Sequence, residues 1–272
     1  MRRPRVKADG TIHEKKMYKL SVGAVFKNEE HAIVEWIEHY LLHGADHFYL
    51  VDDQSTDTSV AKLQPYIDKG LVTLIPTTWG RYLGRQRAMY SHYFLPVIKE
   101  SEWFLIVDLD EFVWSPTYFK LPDFLDTVKH LAQVQMSVTI FGSNGHMKQP
   151  KSIVGGFTKR SADIITKEPA CFKYFINTAF AFTQLNVHHA NFENPDDFNQ
   201  RFQRFTYPFL QLNHYSVQSR EIWEKVKTTR GDCDEYLQRN DDHWNLSNQN
   251  DVEDFGLAEQ NKELIAKIES ME

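Results

Sequence analysis

The sequence predicts an α/β fold in which a mostly parallel central sheet is flanked by helices. Three observations predict it. The first 114 residues alternate short, continuous apolar runs with amphipathic stretches, which is the β-α-β order of parallel strands joined by crossover helices. The apolar runs lack the polar alternation of a half-exposed strand and so suit strands buried on both faces. Two of the runs, ending at Val51 and Val107, close on acidic turns, and in open α/β sheets ligands bind at the carboxyl ends of the strands.

The elements follow in order. Leu20 to Phe26 (LSVGAVF) is the first apolar run. Lys27-Asn28-Glu29-Glu30 then opens a helix, with Asn28 as its cap and both glutamates against the positive end of its dipole. Ile33, Trp36, Ile37, Tyr40 and Leu41 recur at helical spacing, so one face packs inward, and Gly44 ends the helix. His47 to Val51 is the second strand. A helix through Val60, Leu63 and Ile67 stops at Gly70, and Leu71 to Ile75 is the third strand. Leu83 to Ile98 is mostly helical, ending or bending at Pro96. Trp103 to Val107 (WFLIV) is the fourth strand, stopped by Asp108.

Beyond Trp114 the pattern is more mixed. Phe119 to Leu131 reads as helix, Gln135 to Phe141 as strand, and Phe141 to His146 as a turn-rich loop. Phe172 to Val187 offers two short strands and Phe209 to His214 another. Arg220 to Lys227 and Leu257 to Ile268 are amphipathic helices, and the polar stretch from Arg239 to Asp254 reads as irregular.

Composition narrows the function. The chain has 272 residues, 42% hydrophobic and 25% charged, ordinary for a globular protein with a sizeable core. A net charge of −6 argues against a broad nucleic-acid surface. No run reaches the ~18 apolar residues of a membrane helix, and no apolar stretch follows Arg2-Arg3 as a signal peptide requires. The basic start, Met1 to Lys7, is either a solvated tail or a peripheral contact with acidic lipid headgroups. Cys171 and Cys233 are unpatterned, and a reducing cytoplasm is their simplest setting.

Four constellations carry chemistry. Asp108-Leu109-Asp110-Glu111 follows the fourth strand, and two carboxylates spaced i, i+2 across a turn can converge on Mg2+ or Mn2+, which takes oxygen ligands and leaves positions for phosphate. The plainer reading is a solvated acidic turn. Asp52-Asp53-Gln54-Ser55-Thr56-Asp57 ends the second strand; Asp52 is assigned to nucleotide contact and Asp57 to capping the next helix. Arg81, Arg85, Gln86 and Arg87 stand around a helix start, either as an anion site or as a basic solvated face. His188, His189 and His214 are either packed histidines or metal ligands.

In this order and spacing, the segments resemble the GT-A glycosyltransferases, and more narrowly family 92 with its family-2-like relatives. The resemblance runs from Lys27-Asn28-Glu29-Glu30 and Glu35-Trp36-Ile37-Glu38-His39-Tyr40 through Asp52, Gln86 and Asp108-Leu109-Asp110-Glu111-Phe112. It continues through Phe141 to His146, His188-His189 and Asn213-His214-Tyr215 to Ser219 and Lys225, spanning about residues 20 to 231. It implies a GT-A (Rossmann-like) catalytic domain over 18–231, with a nucleotide-sugar half at 18–114 and an acceptor half at 115–231, between a basic tail (1–17) and a helical extension (232–272). It implies an Mn2+ or Mg2+ ion on Asp108, Asp110 and His214, with Asp52 and Gln86 on the donor side; Asp53, Arg87, Asp108 and Ser219 are further donor-side candidates.

The activity implied is metal-dependent hexosyl transfer from a nucleotide sugar, UDP-linked by preference, as in polysaccharide biosynthesis. Family similarity implies inversion, and the acceptor would be a glycan, lipid-linked or protein-linked. An inverting enzyme needs a general base; Glu111, His146 and Asp163 are candidates. The chain departs from the family pattern at Gln218-Ser219, where Lys-Ser is usual. This removes a cation near the diphosphate, with Arg220 as a replacement candidate. Two rivals remain: a metal-dependent phosphoesterase using Asp108, Asp110, His188, His189 and His214, and a non-catalytic nucleotide-binding module.

Overall fold

A computed structural model describes residues 17–166, 172–234 and 239–271; the basic start and Cys171 lie outside them. The α/β class is observed, with helices packed against a curled central sheet. Its first half is the expected one: β1 (Tyr18–Phe26), β2 (His47–Asp52), β3 (Val72–Pro76) and β4 (Ser101–Ile106) lie in the parallel order β3-β2-β1-β4. Helices α1 (Ile33–Leu42), α2 (Ser59–Asp68) and α3 (Arg85–Met89) connect them. The strands are continuous apolar runs because Leu20, Val22, Phe48, Leu50, Leu105 and Ile106 are all fully buried. Gly23 of β1 lies against the Phe104 ring of β4, where a Cβ would come within 2.6 Å of it.

The second half extends this sheet with mixed strands. β5 (Glu111–Trp114), α4 (Leu121–Thr127), β6 (Gln133–Ile140), α5 (Ile153–Gly156) and β7 (Lys159–Arg160) are followed by β8 (Tyr174–Asn177), β9 (Phe182–Leu185), β10 (Ala190–Phe192) and α6 (Asp196–Arg201). Then come β11 (Phe202–Phe205), β12 (Gln211–His214), α7 (Arg220–Ile222), α8 (Asp241–Ser247), β13 (Val252–Glu253), α9 (Gly256–Gln260) and α10 (Lys262–Ser270). The sheet continues β4-β8-β6-β12-β5, with β8 antiparallel to both neighbours, β12 parallel to β6, and β5 antiparallel to β12.

Two expectations about elements are corrected. Asn28 does not cap α1, whose N-cap position is Ala32 without a side-chain bond. Asn28 sits in the left-handed region (φ 54°), and its Oδ1 accepts the Thr56 N–H at 2.8 Å, stitching the β1 and β2 loops together. The stretch 239–254 is not irregular: the Asn240 side chain caps α8 by accepting the Asp242 and His243 N–H groups, and Val252 and Glu253 pair with β7. Leu83 to Ile98 is mostly helical as expected: α3 widens into a π-type turn at Tyr90–Phe94, which stops just before Pro96. The C-terminal segment packs on the domain: Leu257 belongs to the main core, and the Asn261 amide bridges His39 and His43 of α1.

Candidate active site

The acidic turn between β4 and β5 is held from behind by α1. Trp36 and Tyr40 are one helical turn apart and fully buried. The Trp36 indole N–H is shared between the Asp108 and Glu111 carbonyls at 3.0 and 3.1 Å, and Tyr40 OH donates to the Glu111 carbonyl at 2.9 Å. Within the turn, Glu111 Oε2 accepts the Asp108 N–H at 2.8 Å. On the other side, the Tyr215 N–H donates to the Asp110 carbonyl at 2.8 Å. β12 pairs with β5 so that His214 lies opposite Glu111.

The turn faces a cavity of about 450 Å3 at the carboxyl ends of the parallel strands, with Asp108, Asp110 and His214 on its wall and Asp53, Gln86 and Arg230 around it. Asp108 Oδ2 accepts from Lys173 at 2.7 Å, and its Oδ1 accepts from Tyr90 OH at 3.2 Å and Gln86 Nε2 at 3.4 Å. Asp110 Oδ2 lies 2.5 Å from Lys227 Nζ, and its Oδ1 lies 3.5 Å from His214 Nε2. Burial opposes ionisation of both aspartates, yet the two ammonium groups outweigh it and hold both carboxyls below their ordinary range, Asp110 far below. Burial likewise disfavours imidazolium at His214, but the Asp110 charge prevails and raises its pKa. For Lys173, burial is overcome by Asp108 and Glu111, so its ammonium is held well above the usual range.

Lys173 and Lys227 went unread in the sequence. A signal existed for the first: a lysine heading the apolar run Tyr174-Phe175-Ile176 is out of place unless a buried acid meets it. For the second, α7 widens into a π-type turn at Trp223–Lys227, which shifts the inward face by about one residue. Lys225 therefore pairs with Glu221 on the surface while Lys227 points in.

The chemistry of the donor set suits a hard divalent ion: two ionised carboxylates and an imidazole on one cavity wall. Lys173 and Lys227, 2% and 1% exposed, sit behind the carboxylates and engage one oxygen of each. Among the described residues no group of three His, Cys, Asp or Glu side chains is already gathered in ligating geometry, so an ion would have to draw Asp108, Asp110 and His214 together.

The other expected site residues divide. Gln86 lines the cavity. Asp52 does not; its Oδ1 accepts the Ser55 N–H at 3.0 Å, and the neighbouring Asp53 lines the cavity instead. Asp53 is gripped by Arg85, Nη2 to Oδ1 at 2.5 Å and Nη1 to Oδ2 at 3.0 Å, so Arg85 is spent on a protein carboxylate. The α3 N-terminus is filled as well: Asp234 accepts the Gly84 and Gln86 N–H groups at 3.1 and 2.6 Å. Arg87 is exposed and off the cavity wall.

Ser219 is fully buried, capping α7 through the Ile222 N–H and donating to Gln149. Ser216 takes its place on the wall, with its Oγ unpartnered among the described residues. Arg220 is engaged by Glu224 and Asp241 away from the cavity, whereas Arg230, ion-paired with Glu29, lines it.

None of the three base candidates lines the cavity. Glu111 lies behind the turn, where burial pushes its carboxyl to about 7. His146 Nε2 bonds the Gly156 carbonyl at 2.9 Å, and Asp163 is on an exposed loop. The histidines of the phosphoesterase reading are not brought together either: His188 donates Nδ1–H to the Phe172 carbonyl at 2.9 Å, and His189 is exposed. Among the described residues no helix is long and apolar enough to cross a membrane.

Comparison with known proteins adds three findings. The family model described as Glycosyltransferase family 92 matches residues 16–253. A glycosyltransferase family 92 protein of Ricinus communis is 23% identical over 252 residues, 82% of this chain and 42% of its own length. One of Oryza sativa subsp. japonica is also 23% identical, over 78% of this chain and 35% of its own length; the chain thus spans less than half of either relative. Among solved structures, S. aureus TarS 1–349 in complex with UDP-GlcNAc shares 16% identity at a TM-score of 0.44, covering 75% of this chain and 60% of that one. HddC from Yersinia pseudotuberculosis shares 11% at 0.40, covering 77% and 98%.

Proposed function

The chain belongs to glycosyltransferase family 92, and from that premise we propose that it transfers a sugar, with inversion, from a nucleoside diphosphate sugar to a glycan, lipid-linked or protein-linked acceptor. UDP is the nucleotide we assign. The observation that carries the reading is that Asp108 and Asp110 both line one cavity wall at the end of a parallel strand, each paired with a buried lysine.

Asp108, Asp110 and His214 are the residues that would hold Mn2+ or Mg2+. When bound, such an ion neutralises charge on the departing diphosphate as a Lewis acid. The chain's own residues do the rest. Arg230 gives the cavity a cation, whereas Gln218 is buried off the wall and accepts from Gln149. Ser216 offers a phosphate or sugar oxygen a hydroxyl that has no partner among the described residues. Trp36 and Tyr40 fix the turn so that its two acids keep their positions as charge builds up between them.

The test is incubation with a panel of UDP-sugars, Mn2+ and oligosaccharide acceptors, with UDP release as the readout. Release that depends on acceptor supports the reading. Phosphate release from simple esters would favour a phosphoesterase, and nucleotide binding without turnover would favour a binding module.

A further inference from the structure

The acids on the cavity wall come with cations of their own. Lys173 holds Asp108 at 2.7 Å, Lys227 holds Asp110 at 2.5 Å, and Arg230 pairs with Glu29. Both lysines are almost wholly shielded from water, though the Asp108 side chain is 34% exposed, so the ammonium groups have no solvent to swing into when another cation arrives. Each of the two aspartates therefore already faces a buried ammonium group before any ligand enters.

That balance has a chemical consequence. A divalent ion arriving alone would lose hydration water and add two positive charges beside two fixed ammonium groups. A nucleoside diphosphate arriving alone would set its negative charge against the two carboxylates that those same lysines grip. Arriving together they would offset each other's charge, with Asp108 and Asp110 as the residues that would hold the ion.

Resting on the nucleotide-sugar reading, we propose that Lys173 and Lys227 are positioning residues that make the divalent ion and the nucleoside diphosphate bind as one complex, with neither held firmly alone. The lysines act through the aspartates, by taking up the charge a lone ion would otherwise neutralise. A lysine serving only the fold would lower stability when replaced and leave the link between ion and nucleotide untouched. By thermodynamic reciprocity, UDP must strengthen Mn2+ binding by the factor by which Mn2+ strengthens UDP binding.

Calorimetry on the full chain tests this with MnCl2 alone, UDP in chelator, and UDP in MnCl2. For the parent protein, UDP should bind at least a hundredfold more tightly with Mn2+ than with chelator, and Mn2+ alone should be weaker by the same factor than Mn2+ with UDP present. In Lys173→Met, Mn2+ alone should bind at least tenfold more tightly than to the parent; Lys227→Met should act likewise, and Lys173→Arg should restore the parental pattern. The parent measurements need no variant to fold. Equal UDP affinity with and without Mn2+, equal Mn2+ affinity with and without UDP, or unchanged Mn2+ binding in Lys173→Met would each overturn the proposal. Mn2+ binding with no UDP binding in any buffer would instead overturn the nucleotide-sugar reading beneath it.

Discussion

The indole N–H of Trp36 donates to the carbonyl of Asp108 at 3.0 Å, so a core residue of the first helix fixes the first acid of the candidate site. Trp36→Phe would remove one donor from each carbonyl, leaving the Glu111 N–H on Asp108 and the Tyr40 hydroxyl on Glu111, and would open space behind the turn. We expect a loss of ~2–4 kcal/mol in stability and UDP binding about tenfold weaker in the presence of Mn2+. Urea unfolding and calorimetry check the two effects separately. A variant as stable as the parent would show that the clamp contributes nothing.

Asp110→Asn removes one carboxylate from the wall and leaves Lys227 buried without its partner. Stability should fall by ~3–5 kcal/mol, the usual cost of breaking a buried ion pair from one side. Mn2+-dependent UDP binding should fall at least a hundredfold. Circular dichroism confirms that the fold persists, and calorimetry with UDP and Mn2+ reads the loss. Unchanged affinity would remove Asp110 from the site.

The adjacent acids at the end of β2 should separate cleanly. Asp52 is engaged with the Ser55 N–H off the wall, whereas Asp53 lines the cavity in a two-point pair with Arg85. Asp52→Ala should cost ~1 kcal/mol, one hydrogen bond, and leave UDP affinity unaltered. Asp53→Ala should weaken UDP binding and destabilise by ~3–5 kcal/mol, because Arg85 is fully buried. The reverse ranking of UDP affinities would return nucleotide contact to Asp52.

Glu35 should make stability fall as pH rises. It is buried, and it accepts the Ile153 N–H at 2.5 Å, the Val154 N–H at 3.1 Å and the Ser152 hydroxyl at 2.8 Å; burial outweighs these bonds and pushes its carboxyl from 4.5 to about 7. The folded state thus holds this proton more tightly than the unfolded chain. The resulting penalty is absent below pH 4.5, grows as pH rises toward 7, and is constant above it, amounting to about 3 kcal/mol. Glu35→Gln has no charge to bury, so its stability relative to the parent should improve by that amount from pH 4.5 to 8. Urea unfolding of both proteins across this range decides it, and a pH-independent gap would contradict the assignment.

What could be read from the sequence was what is encoded locally. β1 to β4 are continuous apolar runs, and Asp108, Asp110 and His214 follow apolar segments that deliver them to one cavity wall. What could not be read is long-range. Lys173 and Lys227 meet their acids across 65 and 117 residues of chain, and no short pattern marks such a pair. Asp52 and Asp53 differ by one position, and successive side chains of a strand point to opposite sides, so the choice between them rests on how the strand ends. Asn28 has the composition of a helix cap, but the β2 loop supplies the Thr56 N–H to it first.

The account turns on where the ion and the nucleotide sit. Anomalous scattering at the manganese edge, from crystals grown with UDP and Mn2+, measures that directly. A single strong peak bonded to carboxylate oxygens of Asp108 and Asp110 and to the diphosphate is the result expected. A nucleotide bound with no anomalous peak at those carboxylates, or a peak elsewhere on the chain, would contradict it.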